Sequence, residues 1–269
     1  MLKTRLITAL ILIPIFLIAL FYLTGLEWQL LILAGVVIAA WEWANLSKFN
    51  KIFKVLYSSI ILVVGLLLMF VYPNLIGVFT LITILLSSVF WIFLAPIWLF
   101  TQVKIKNPIL LGILGLTIIL PLWFAMVSLR QVGPLLLLTI MMTVWIADSA
   151  AYFAGKRFGR HKLAASISPG KTWEGVWGAC IAVALYAIAI CYFFETEYWL
   201  LLLMLAVTVA SVIGDLVESL FKRQAEVKDS GTIFPGHGGI LDRIDGLTSS
   251  LPLVTFLLLL PVYYNHWFV

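Results

Sequence analysis

The chain has 269 residues, of which 64% are hydrophobic and 11% charged, and its formal net charge is +5. A soluble domain is about 45–50% apolar and about 25% charged, so 17 basic and 12 acidic side chains cannot cover this much apolar surface. That balance excludes a soluble enzyme, a disordered protein and a nucleic-acid-binding module, and predicts one polytopic transmembrane domain over 1–269.

A membrane-crossing helix needs about 20 mostly apolar residues. Taken in chain order, runs of that kind fall at 5–24, 28–46, 53–71, 75–100, 108–128, 132–154, 173–194, 198–221 and 247–265. The expected fold is therefore all-α, an integral membrane protein of about nine transmembrane helices. The first run is read as a retained helix, because it has no convincing small-residue cleavage site. The fourth contains Pro96, which predicts a tilt or a kink. Cys180 and Cys191 lie in apolar sequence with no metal-ligand spacing.

Lys and Arg accumulate in cytoplasmic loops. With the N-terminus inside, 16 of the 17 basic residues fall on the inner side and only Arg130 falls outside. The expected orientation is N-terminus cytoplasmic and C-terminus periplasmic. The rule accounts completely for Lys48, Lys51, Lys54, Lys104 and Lys106. The eleven Trp are expected mostly at lipid-facing or interfacial positions. Glu42, between Trp41 and Trp43, either joins a polar cavity or reaches the inner interface.

Two inner segments, about 155–172 and 222–246, differ from the rest in Gly, Lys, Arg and Asp. In the first, Gly170-Lys171-Thr172 invites a phosphate-loop reading. Ala165 stands where that pattern needs Gly and no parallel sheet precedes it, so only a phosphate contact by Lys171 is retained. Thr172 is expected to cap the following helix. Asp148, eight residues before Lys156, is submerged by roughly 12 Å of helix rise. It either faces a shared cavity with Asp215 or bonds a neighbouring Ser or Trp.

At the end of the eighth run, leading into the second segment, Asp215, Glu218, Ser219 and Lys222 stand at i, i+3, i+4 and i+7 and so share one helix face. Asp215 lies roughly 10 Å of helix rise before Lys222, so it needs a cation or a proton. Asp242 and Asp245, three apart, would point the same way on a helical turn. Carboxylates are ligands for a hard ion such as Mg²⁺. Gly236, Gly238 and Gly239 permit a turn whose N–H groups can hold an anion. Lys222, Arg223, Lys228 and Arg243 add positive charge for phosphate. Metal-holding acids, amides and bases at a membrane face point to phosphoryl or nucleotidyl transfer onto a lipid headgroup.

The run Ser219, Lys222-Arg223, Lys228-Asp229, Gly231, Phe234-Pro235, His237-Gly238-Gly239, Asp242-Arg243 and Asp245 resembles the signature of the phosphatidate cytidylyltransferase, or CDP-diacylglycerol synthase, family. The likeness extends to Asp148–Gly155, Ile167–Gly175 and the opening residues, and no position departs from the signature. The resemblance implies synthesis of CDP-diacylglycerol and pyrophosphate from CTP and phosphatidate at the cytoplasmic face of a bacterial inner membrane. It implies dependence on Mg²⁺, with room for a second metal ion, and a homodimer among membrane lipids. By carry-over Asp215, Asp242 and Asp245 are the expected metal ligands and, with Lys222 and Arg223, the catalytic set. Ser168, Lys171, Ser219, Lys222, Arg223, Lys228, His237, Gly238, Gly239 and Arg243 are expected to serve substrate and phosphate. Asp148, Glu218 and Asp229 are expected to support them from behind. The alternatives are a CTP-dependent lipid kinase and, outside enzymes, a cation-coupled transporter using Asp148 and Asp215.

Overall fold

The computed structural model describes residues 2–233 and 238–267; side chains are described from residue 10 to residue 258 within that range. Helices α1 (Leu2–Tyr22), α2 (Gly25–Leu46) and α3 (Lys51–Phe70) are followed by α4 (Ile76–Val89) and α5 (Ala95–Thr101). Next come α6 (Pro108–Val132), α7 (Pro134–Phe158), α8 (Trp173–Phe194), α9 (Trp199–Ala225) and α10 (Leu241–Trp267). Among the described residues, seven helical segments are long and apolar enough to cross a membrane. The chain is thus a multi-pass membrane protein, and large side chains left uncovered, such as Leu185 and Leu202, fit a bilayer rather than water.

Sequence chemistry explains the helix boundaries. Thr24 and Glu27 form a reciprocal capping box at the start of α2. Asn50 caps α3 by accepting from Phe53 N at 2.9 Å, and Asn107 caps α6, where Pro108 occupies the first turn. Thr172 caps α8, its hydroxyl accepting from Gly175 N at 3.2 Å, as expected. Between α4 and α5 the backbone widens into a π-helical turn at Phe90–Leu94. Pro96 stands two residues beyond that turn, in the first turn of α5, and a residue without an N–H cannot continue the normal ladder there.

Two features differ from the sequence reading. Residues Lys162–Ala164 (β1) and Ser168–Thr172 (β2) form an antiparallel hairpin, so the segment between α7 and α8 is not a plain loop. The Trp expectation also needs correcting, because Trp28, Trp43, Trp91, Trp98 and Trp123 are buried. Three of them donate their indole N–H to a carbonyl on a neighbouring helix: Trp28 to Met126, Trp43 to Leu111 and Trp123 to Gln29. An indole that finds such an acceptor can be buried between helices as readily as at a headgroup. Arg130, the outlier of the charge tally, donates to the carbonyls of Leu20 and Leu23 and lies over the Trp28 ring. It thereby satisfies carbonyls that the end of α1 leaves unpaired.

The contact that positions the site is the one between α9 and α10. Gly214 faces Ser249, and an added Cβ there would strike the Ser249 hydroxyl and the Asp245 carbonyl. Ser249 donates to the Ala210 carbonyl at 2.7 Å, and Gly246 packs against Ser211. Small residues on both faces let the two backbones approach closely. Asp215 and Glu218 on α9 are thereby carried up to Asp245 on α10.

Candidate active site

The face expected on α9 exists. Ser219 Oγ donates to Asp215 Oδ1 at 3.3 Å, one turn away. One carboxylate oxygen from each of Asp215, Glu218 and Asp245 lies within 4.8 Å of the other two. Three carboxylates so close together repel unless a cation or protons neutralise them. Glu218 Oε1 is buried without a hydrogen-bond partner among the described residues. An oxygen left in that condition costs free energy unless something occupies the space before it. An all-oxygen donor set with an unpartnered member fits a hard divalent ion such as Mg²⁺.

Asp242 is not one of the three. Its Oδ1 accepts from Lys222 Nζ at 2.6 Å. Its Oδ2 accepts from Gly239 N at 2.8 Å, Ser230 N at 2.9 Å and Ser230 Oγ at 3.0 Å. Lys222 also donates to Glu218 Oε2 at 2.7 Å, so one largely buried ammonium joins the acidic trio to Asp242. The pair Asp242 and Asp245, three apart, was expected to aim one way. Asp242 instead lies in the first turn of α10 and turns to the loop amides, while Asp245 sits a turn deeper against α9.

Glu42 resolves towards the polar interior. It is 1% exposed. It accepts from Ser230 Oγ at 3.0 Å, from Ile240 N at 3.0 Å and from Leu241 N at 2.9 Å. The amides at the start of α10 would otherwise be unpaired, and a carboxylate there also suits the positive end of the helix dipole. Gly231 and Gly239 pack so tightly on Glu42 that a Cβ at either would collide with it. Gly238 takes φ +80, a conformation that favours glycine. The loop around residues 230 and 238–240 is therefore held by two carboxylates, Glu42 and Asp242. Glu42 and Ser230 are roles the sequence reading did not assign. An acid inside an apolar helix was the signal for Glu42, whereas nothing in the spacing marked Ser230.

The hairpin closes another side. Lys171 on β2 forms an ion pair with Asp215. Arg223 Nε donates to the Ile167 carbonyl at 3.3 Å, anchoring the hairpin on α9 around a buried Ile167. Lys162 donates across the hairpin to the Pro169 carbonyl at 2.7 Å. Ser168, half-buried, pairs across from Ala164. Asp148 lies on α7 and is exposed, outside the trio of converging carboxylates. Lys228, Asp229 and Arg243 are exposed, with Asp229 beside Gly238. His237, with Phe234, Pro235 and Gly236, lies outside the described residues. Lys171 and Lys222 are thus engaged by carboxylates, and Arg223 by a carbonyl. Lys171 balances Asp215, and Lys222 balances Glu218 and Asp242.

Comparisons with known proteins agree with the residues. The model of the cytidylyltransferase family matches residues 3–260. A phosphatidate cytidylyltransferase of Pseudomonas aeruginosa is 40% identical over 96% of this chain and 97% of its own length. That of Haemophilus influenzae is 34% identical over 95% of this chain and 98% of its own. One from Staphylococcus haemolyticus is 45% identical over 48% of this chain and 51% of its own.

Proposed function

The chain belongs to the cytidylyltransferase family, and from that membership we infer that it makes CDP-diacylglycerol and pyrophosphate from CTP and phosphatidate. The observation that carries the reading is the convergence of Asp215, Glu218 and Asp245 beside Lys171 and Lys222 at the end of the bundle that also holds the Gly-rich loop. A phosphatidate oxygen attacks the α-phosphorus of CTP. The new P–O bond forms as the bond to the bridging oxygen breaks, and pyrophosphate carries away the electron pair. The nucleophile is already an anion, so no strong base is needed. Bringing two polyanions together is the difficulty, and positioned charge is the remedy.

Asp215, Glu218 and Asp245 are the residues proposed to hold Mg²⁺. When bound there, it supplies Lewis-acid screening of the phosphate charge and of the leaving group. This replaces the expected set of Asp215, Asp242 and Asp245 because Asp242 is committed to Lys222 and the loop amides. Lys171 orients Asp215, Lys222 joins the acidic trio to Asp242, and Asp242 and Glu42 shape the Gly238–Gly239 turn. Lys228, Arg243 and His237 are assigned to substrate phosphates, with Ser168, Ser219 and Arg223 at the rim. A homodimer is part of the same proposal.

The deciding assay supplies the purified protein with CTP, phosphatidate and Mg²⁺. CDP-diacylglycerol with pyrophosphate is expected. CDP with a phosphorylated lipid alcohol, in an assay offering that alcohol, would identify a kinase instead. No product from either acceptor would favour the cation-coupled transporter.

We also propose nine crossings in a bacterial inner membrane, with α1 and α10 added to the seven apolar segments and the reaction centre on the cytoplasmic side. The Lys and Arg distribution supports this orientation. A reporter fused after Val269 is expected to read periplasmic, and one fused after Lys162 cytoplasmic. A cytoplasmic C-terminus would rule out the odd number of crossings.

A further inference from the structure

A second opening lies at the same end of the bundle, on another flank of α9. It is a cleft of about 730 Å³ where the end of α2, the starts of α3 and α6, the segment after α5 and the last turn of α9 meet. Its walls include Leu46, Phe49, Phe53, Ile109, Leu111 and Phe221. None of Lys171, Asp215, Glu218, Lys222, Asp242 and Asp245 lines it, so the cleft is distinct from the carboxylate pocket.

Charge distinguishes this cleft from an ordinary gap between helices. Its lining contains Lys48, Lys104 and Lys106 and no Asp or Glu. The preference of basic residues for one side explains why these lysines lie at this end of the bundle. It does not explain why three of them, from two separate connections, converge on one apolar opening. Lys48 occupies left-handed backbone, φ 56, at the tight turn between α2 and α3. Helix ends mark the boundary between hydrocarbon and water, so an occupant would meet both. Its polar end would face three ammonium groups, and its other end aromatic and aliphatic walls.

We propose that this cleft binds an anionic phospholipid of the surrounding leaflet, at a site separate from the reaction centre. The phosphate lies against Lys48, Lys104 and Lys106, and one acyl chain runs along Phe49, Phe53 and Ile109. Phe221 stacks on Trp43 at 4.2 Å, so the occupant would rest on the same helix that carries Asp215 and Lys222. A soluble phosphate ester shares the headgroup chemistry, and the test separates the two.

The intact protein, purified in neutral detergent, is titrated with phosphatidylglycerol, which is not the proposed substrate, and bound lipid is counted by native mass spectrometry. One variant is Lys48→Gln/Lys104→Gln/Lys106→Gln, which removes the charge. The other is Gly112→Leu, which fills the wall. A Cβ at Gly112 meets Phe49 at 3.7 Å and Tyr57 at 3.8 Å, ordinary contact distances. The expected result is one tightly held phosphatidylglycerol, weakened roughly tenfold or more in the triple variant and also weakened in Gly112→Leu. Phosphatidylcholine should bind less well than phosphatidylglycerol. An equal concentration of glycerol 3-phosphate should not displace the lipid. Undiminished binding in the triple variant would place the lipid elsewhere and overturn the proposal. Displacement by glycerol 3-phosphate would make the site one for a soluble phosphate ester.

Discussion

Replacing Asp215 with Asn is expected to lower cytidylyl transfer by a factor of roughly 10²–10³ without lowering the melting temperature. Asn keeps the shape of Asp and removes the charge that holds a divalent ion in a group of three carboxylates. The stability side follows from the surroundings. Asp215 and its partner Lys171 keep 29% and 23% of their side-chain surface exposed, so the Lys171 ammonium left without its partner can still reach water. A neutral side chain is also easier to keep within a membrane-spanning helix. The remaining carboxylates, Glu218 and Asp245, still offer two ligands, so higher Mg²⁺ should recover part of the loss. Turnover across a Mg²⁺ series, with a melting curve for each protein, measures both effects. Near-normal turnover would remove Asp215 from the metal site. A large fall in melting temperature would assign its carboxylate to the fold.

The sequence disclosed this helix face because one period governs it. Asp215, Glu218, Ser219 and Lys222 are spaced for a single stripe, and α9 presents them as such. Which acid from α10 meets that stripe was not legible. The answer depends on the phase between two helices, set by Gly214 against Ser249 and by Gly246 against Ser211. Those are cross-chain contacts with no local signature. Asp245 reaches the stripe, and Asp242, one turn earlier, meets the loop. Glu42 stands 198 and 199 positions from the amides it accepts. Its place in an apolar run left a polar cavity and the inner interface both open, and no local spacing pointed to amides so far along the chain. The hairpin at Lys162–Thr172 was missed because its strands are too short for a period-two pattern to register. The convergence of Lys48, Lys104 and Lys106 was hidden for another reason. A rule that explains on which side basic residues lie is satisfied by any arrangement of them on that side.

Lys222 and Asp242 give the second large effect, opposite in kind to the first. The Lys222, Asp242 and Glu218 side chains keep only 13%, 5% and 8% of their surface exposed. Lys222→Met would leave two buried carboxylates without their shared cation, next to Asp215 and Asp245. Removing one partner from a buried ion pair costs about 3–5 kcal/mol in soluble proteins, and polar pairs within membranes are worth less. A clear fall in melting temperature is expected together with lost turnover. The double variant Glu218→Gln/Lys222→Met should melt higher than Lys222→Met, because one of the two stranded charges is gone. No such recovery would mean that the ammonium does not balance these acids. Asp242→Asn then separates the two roles open to this residue. Its oxygens accept from Lys222, from the Ser230 amide and hydroxyl and from the Gly239 amide. An Asn amide group would set donors against donors at one side of that arrangement. The loop would lose its hold, and turnover should fall by roughly 10² or more. If Asp242 shapes the loop, added Mg²⁺ does not restore that loss, whereas Asp215→Asn recovers in part under the same titration. Equal Mg²⁺ recovery of both variants would make Asp242 a metal ligand and would mean that its bond to Lys222 is exchanged for the ion during turnover.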